Sequence, residues 1–283
     1  MANVDLSGNQ PQNTQPVAAP ERDLGTRVFL GALFLFACFY AVVLIYHSAN
    51  PPKKDAASAA NDGFLERCRQ ICQRYGLVST GNLRRDAELY IQAAQPTQLT
   101  TGLSEILSTP NFQPAASQNS PLLNQPAPDF SLPDDSQTLQ HLSHLGQNRP
   151  LVVVFYLGYG CSHCVAQLVS LERDSHYFRE LDADIIAISA DSPQHTSERF
   201  AEYGRFGFTV LSDADHAVSE KWGVFHPHTE ETDQWMDHGT FVLDRHGKVI
   251  WSQQGGEPWL DNKTLLHVIA KSQGLLPDTV AQK

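Results

Sequence analysis

Leu151-Val152-Val153-Val154-Phe155-Tyr156-Leu157-Gly158-Tyr159-Gly160-Cys161-Ser162-His163-Cys164 is the stretch on which the fold turns. Seven consecutive apolar residues, rich in β-branched and aromatic side chains, predict a strand buried on both faces. Gly158 and Gly160 end it in a tight turn. The segment from Ser162 to Leu181 then predicts a helix that opens at the cysteine pair. A helix N-terminus carries unpaired N–H groups and a partial positive charge. That environment favours a thiolate over a thiol and makes the sulfur nucleophilic. Cys161 and Cys164 therefore read as a redox dithiol able to close to a disulfide.

Downstream, Ile185–Ser189 and Phe208–Leu211 read as further buried strands. Between them Asp191-Ser192-Pro193 starts a helix that runs to Tyr203. Asp215–Trp222 is a short helix. Thr240–Leu243 and Lys248–Trp251 are strands joined through Asp244-Arg245-His246-Gly247. Leu260–Gln273 is a closing helix stopped by Gly274. Alternating strands and helices followed by a hairpin and a helix give an α/β fold, a three-layer α/β/α domain with a mixed sheet, over residues 124–275. Residues 276–283 form a C-terminal tail.

Upstream, residues 1–27 are expected to be a disordered tail, since most of them are small or polar. Val28–Tyr46 is an uncharged apolar run and reads as a transmembrane signal anchor, bound to membrane lipid over residues 28–46. Cleavage is disfavoured, because His47-Ser48-Ala49 is a poor processing site. Arg22 and Arg27 precede the run and Lys53 and Lys54 follow it, so charge hardly decides orientation. With the bulk of the chain after one anchor, the expectation is a single-pass membrane protein with its globular domain on the extracytoplasmic side. Residues 47–62 read as a stalk, 63–95 as a helical hairpin and 96–123 as a linker holding one short helix near Leu103–Leu107. In the hairpin, a helix to Tyr75 is stopped by Gly76, and a second runs from Asn82 to Ala94. Cys68 and Cys72 share one face of the first helix. They read either as small residues at the helix contact, or as a second redox pair, a resolving partner or half a metal site.

The chain holds 283 residues with a formal net charge of −11. No dense basic surface is available for phosphates, which excludes nucleic acid as a partner. Five cysteines at this length do not make a disulfide scaffold.

The segments Ala127-Pro128-Asp129-Phe130, Val152–Leu157, Ile188-Ser189-Ala190-Asp191-Ser192-Pro193, Leu211-Ser212-Asp213, Trp222-Gly223-Val224 and Gly239–Asp244 occur in family-like order. With them, residues 124–275 resemble the alkyl hydroperoxide reductase/thiol-specific antioxidant (redoxin) proteins, the peroxiredoxin-like branch of the thioredoxin-like superfamily. The resemblance implies a thioredoxin-like fold and a thiol-dependent oxidoreductase or antioxidant peroxidase. On the peroxiredoxin pattern PxxxTxxC, Leu157 stands at the Pro position, Cys161 at the Thr position and Cys164 at the peroxide-attacking position. On the thioredoxin pattern WCxxC, Cys161 is the attacking cysteine and Gly160 replaces Trp. His238 lies near the place of the peroxiredoxin arginine, and Gly239 at that of the thioredoxin cis-proline.

The expected cycle runs between dithiol and disulfide at Cys161/Cys164, with His163 and His238 in support. Its substrate is a peroxide or a protein disulfide, and a thiol reductant protein restores it. Neither a cofactor nor a metal ion is called for. A thioredoxin-like metal (copper) chaperone, with His226, His228 or His238 joining the cysteines, or a redox-inert interaction domain, are the alternatives.

Overall fold

The computed structural model describes residues 24–49, 66–94, 99, 102–160, 162–229 and 232–276. Cys161 lies outside them, as do the bulk of the tail called over 1–27, the stalk beyond Ala49, Glu230, Glu231 and nearly all of the C-terminal tail. The chain divides into two units, Met1–Lys54 and Asp55–Lys283.

In the first unit, α1 (Leu24–Ala49) is a helix whose side chains are described over residues 27–42 and are exposed there. The expected membrane anchor is corrected at this point. Crossing a hydrocarbon layer of about 30 Å takes roughly 20 consecutive apolar residues in one helix. Among the described residues no helix is long and apolar enough to cross a membrane. The single-pass membrane placement, and the lipid contact through residues 28–46, fall with it.

The second unit is built on β3 (Leu151–Phe155), buried at every position. It pairs in parallel with β4 (Asp184–Ser189), Val153 opposite Ile186, and antiparallel with β8 (His238–Leu243), Val153 opposite Phe241. Beyond these lie β5 (Thr209–Ser212), parallel to β4, and β9 (Val249–Gly255), antiparallel to β8. The sheet order is β5-β4-β3-β8-β9. Alternate side chains of a strand point to opposite faces, and β3 obeys this. Val152 and Val154 enter one core, Leu151, Val153 and Phe155 the other.

The first core is covered by α6 (Ser162–Glu180), α9 (Asn262–Ser272) and Phe200 of α7 (Pro193–Tyr203). The second holds Trp222, Phe130 and Phe241, with α8 (Ala217–Lys221) alongside. These layers, with the mixed sheet, are the thioredoxin-like α/β/α arrangement.

Two short antiparallel pairs, β1 (Ser131–Pro133) with β2 (Leu139–His141) and β6 (Phe225–His226) with β7 (Trp235–Met236), add to it. So does α5 (Leu142–Leu145). β8 begins two residues earlier than the sequence suggests, because His238 pairs with Gly255. His238 therefore sits in the sheet and not in the preceding loop.

The helical hairpin is part of the first core. Its helix α2 (residues 66–74) ends in a glycine-stopped turn: Gly76 has φ +67°, Gly76 N donates to Gln73 O and Leu77 N to Cys72 O. In α3 (Leu83–Ala94), Asn82 Oδ1 accepts from Arg85 N at 3.0 Å and caps the first turn. Ile71, Ala87, Tyr90 and Ile91 are all buried in the core, and α3 packs along α6. The 96–123 segment is more than a linker. It contains α4 (Leu103–Leu107), and its later part lies along β9, with Gln118 N donating to Ser252 O at 2.9 Å.

Candidate active site

The turn between β3 and α6 is held by a buried carboxylate. Gly158 has φ +118°, and a Cβ there would lie 2.7 Å from both Asp191 carboxylate oxygens, so only glycine fits. Tyr159 N donates to Asp191 Oδ2 at 2.8 Å. Burial pushes the Asp191 carboxyl up; the Tyr159 N–H, His195 and Arg199 act against that. Asp191 follows β4, so this contact fastens together the C-terminal ends of the two central parallel strands, where open α/β sheets place their sites.

The first turn of α6 presents Ser162, His163 and Cys164. His163 and Cys164 are both fully buried. α2 covers this turn. Cys68 Sγ lies 3.2 Å from Cys164 Sγ, and both sulfurs are buried. Cys72 Sγ lies 3.8 Å from His163 Nδ1 and 3.9 Å from Ser162 Oγ. The other ring nitrogen, Nε2, faces Cys164 Sγ at 4.0 Å. The imidazole thus stands between two thiols on different elements.

Two rings flank His163: Tyr90 with its centroid at 5.5 Å and His238 at 5.4 Å. Burial, with His163 alongside, pushes His238 down to about 3. It is neutral near pH 7 and cannot supply the positive charge of the arginine whose place it approaches. Below it, Gln167 Nε2 donates to Thr240 Oγ1 at 2.7 Å and ties α6 to β8.

A cleft of about 500 Å³ opens beside the turn, between α2, α3 and α7. Cys72, Tyr159, Gly160, Ser162, Arg199 and Tyr203 are among its walls. Asp86 holds the loop on its far side. It accepts from Thr80 N, from Thr80 Oγ1 at 2.6 Å and from Ser79 Oγ at 2.9 Å. Burial works to raise the Asp86 carboxyl, but these donors outweigh it and hold the group below its ordinary value.

Among the described residues, Cys68, His163 and Cys164 form the one group of three with donor atoms close enough to share an ion, all within 4.8 Å of one another. Two sulfurs and an imidazole suit a soft metal. His226 and His228 do not join them. His226 stacks on Trp235 at 4.3 Å and faces Asp237, and His228 lies at an exposed position 3.7 Å from Asp233.

Of the residues singled out from sequence, the structure thus gathers Cys164, His163, His238, Cys68 and Cys72, and adds Tyr90 to them. The i, i+4 spacing put Cys68 and Cys72 on one helix face. No local pattern could say that this face meets Cys164, 96 residues further along.

Residues 123–252 match the AhpC/TSA family. Peroxiredoxin Bcp of Escherichia coli K12 is 33% identical over 125 residues, covering 44% of this chain and 79% of that protein. The chloroplastic peroxiredoxin Q of Populus jackii is 31% identical over 126 residues, 44% of this chain and 56% of that protein. Among solved structures, the peroxidoxin BcpB of Mycobacterium tuberculosis is 26% identical with a TM-score of 0.47, covering 55% of this chain and 98% of that one. Cys68 and Cys72 precede the matched residues. On the sequence match and the thioredoxin-like sheet together, the chain belongs to the AhpC/TSA family of peroxiredoxin-like proteins.

Proposed function

We propose that this chain reduces hydroperoxides, with Cys164 as the attacking sulfur and a dithiol–disulfide cycle completing the turnover. Membership of a peroxiredoxin-like family makes it a thiol-dependent redox enzyme. The observation that carries the peroxide reading is the position of Cys164, on the first turn of the helix that follows the central strand, with a second thiol against it.

The chemistry divides into two steps. The Cys164 thiolate attacks the terminal peroxide oxygen, the O–O bond breaks, and the alkoxide leaves with a proton as alcohol. The resulting sulfenic acid condenses with a thiol to a disulfide and water. A thiol reductant protein returns the pair to thiols by exchange. Cys161 is the partner that the CxxC spacing offers.

The role of the surrounding residues follows from what they touch. Gly158 and Asp191 set the turn. His163 Nε2 at 4.0 Å from Cys164 can orient the sulfur or exchange a proton with it. Cys164 itself has no exposed surface, and the cleft bordered by Gly160 and Ser162 lies beside its turn. Substrate entry therefore needs α2 or the turn to shift.

The test uses the full chain and the single variants Cys161→Ser and Cys164→Ser. Consumption of hydrogen peroxide and of an organic hydroperoxide is followed with a thiol reductant, and insulin disulfide reduction in parallel. Loss of peroxide consumption in Cys164→Ser supports the reading. Insulin reduction without peroxide consumption would move the chain to the disulfide chemistry suggested by WCxxC.

A further inference from the structure

Resting on the peroxide reading above, we propose that Cys68, outside the family domain, is the thiol that resolves the Cys164 sulfenic acid. The two sulfurs stand 3.2 Å apart, a separation at which reacting atoms are already in near-attack contact. Closing to a disulfide bond of about 2.05 Å asks for a movement of roughly 1.2 Å. Cys68 is held there by its neighbours. Ile71, one turn along α2, is buried in the first core with Tyr90 and Ile91, and the stop at Gly76 fixes the end of the helix.

Cys72 is the poorer candidate. Among the described residues it meets the turn at Ser162 Oγ and His163 Nδ1, on the side of the imidazole away from Cys164.

The step balances without a further reagent. The Cys68 sulfur attacks the sulfenic sulfur of Cys164. The S–S bond forms and the S–O bond breaks. The hydroxyl leaves with the Cys68 thiol proton as water. The Cys164 sulfur is reduced from the sulfenic level to the disulfide level, and the Cys68 sulfur is oxidised from thiol to disulfide. The hydroperoxide of the first step is the only oxidant. A resolving thiol already in contact limits the time the sulfenic acid is open to a second peroxide, so it guards against the irreversible sulfinic acid.

The arrangement also gives α2 and α3 a chemical purpose. They form a cap that carries its own cysteine onto the site, in place of a second cysteine within residues 165–283, where the chain has none.

The experiment treats the reduced full chain with one equivalent of hydrogen peroxide, blocks remaining thiols, and maps disulfides by mass spectrometry without reduction. Wild type, Cys68→Ser and Cys161→Ser are compared, with dimedone present in a parallel set to trap sulfenic acid. The expected product is a Cys68–Cys164 bond in wild type and in Cys161→Ser. In Cys68→Ser, the dimedone adduct at Cys164 should rise several-fold and sulfinic acid should accumulate on repeated dosing. The Cys161→Ser arm reads the bond with Cys68 intact, so it does not depend on the Cys68 variant folding.

Peroxide consumption with Cys161–Cys164 as the sole disulfide, and no rise in trapping in Cys68→Ser, overturns the assignment and leaves the peroxidase reading standing. A stoichiometric soft metal ion held by Cys68 and Cys164 in the purified chain also overturns it. If wild type neither consumes peroxide nor forms a Cys164 adduct, both readings fall.

Discussion

The imidazole of His163 packs against that of His238 with ring centroids 5.4 Å apart, and both side chains are buried. One comes from the first turn of α6 and the other from the start of β8, so the contact closes the floor of the cysteine site. Burial and the neighbouring imidazole disfavour a charge on His238.

His238 sets a pH dependence. His238 is pushed from its ordinary 6.5 to about 3 in the folded chain. Below about pH 6.5 the unfolded chain takes up a proton that the folded chain refuses until about pH 3. Stability from this group is fully present above 6.5 and falls as pH drops through that window, at about 1.4 kcal/mol per unit. His238→Asn should flatten this part of the profile. Urea midpoints of wild type and variant at pH 7.5, 6, 5 and 4 check it. Parallel profiles would show that His238 does not carry the effect.

Gly158→Ala tests the turn that positions the cysteines. Its φ of +118° is costly for any side chain, and the new methyl would meet the Asp191 carboxylate at 2.7 Å. Backbone strain alone is worth about 1–3 kcal/mol. The variant should lose at least that much stability by urea unfolding, and peroxide turnover should fall with it as the Tyr159 N–H leaves Asp191. A variant as stable as wild type would mean that the turn relaxes freely.

Asp86→Ala should loosen the far wall of the cleft. The carboxylate accepts from Thr80 N, Thr80 Oγ1 and Ser79 Oγ, and removing it strands these donors. A loss of about 1–3 kcal/mol is expected. Hydrogen exchange should quicken at Thr80, while the amides of β3 keep their relative protection.

Tyr90→Ala tests whether the hairpin lids the site. Tyr90 is about 1% exposed, meets Tyr75 edge to face and lies against His163. Removing a buried aromatic ring costs about 3–5 kcal/mol. Under conditions where the variant remains folded, alkylation of Cys164 should become several-fold faster than in wild type. Unchanged alkylation would show that access to Cys164 does not pass through this contact.

The parts of this molecule legible in its sequence are those with a local cause. β3 was readable because burial on both faces leaves a continuous apolar run. Ser192 and Gly76 mark their helix ends in the sequence, and in the structure Ser192 Oγ accepts from His195 N at 3.2 Å and Gly76 has φ +67°. The β1–β2 and β6–β7 pairs were not readable, since two or three residues are too few to show a period. The sequence shows this strand only from Thr240, because the strand position of His238 depends on its partner Gly255. The apolar run in α1 suggested a membrane span from composition alone, which the described helices do not support. The contact of Cys68 with Cys164 is wholly tertiary. It arises from α3 docking on α6, which brings the helix before it over the cysteine turn.

The account rests on Cys164 as the sulfur that peroxide oxidises. Its most direct test is the pre-steady-state reaction of the reduced full chain with a substoichiometric hydroperoxide, quenched into dimedone and read by peptide mass. The prediction is a sulfenic adduct at Cys164 in wild type and Cys161→Ser, with no peroxide reaction in Cys164→Ser. An adduct at Cys161 that persists in Cys164→Ser would contradict it.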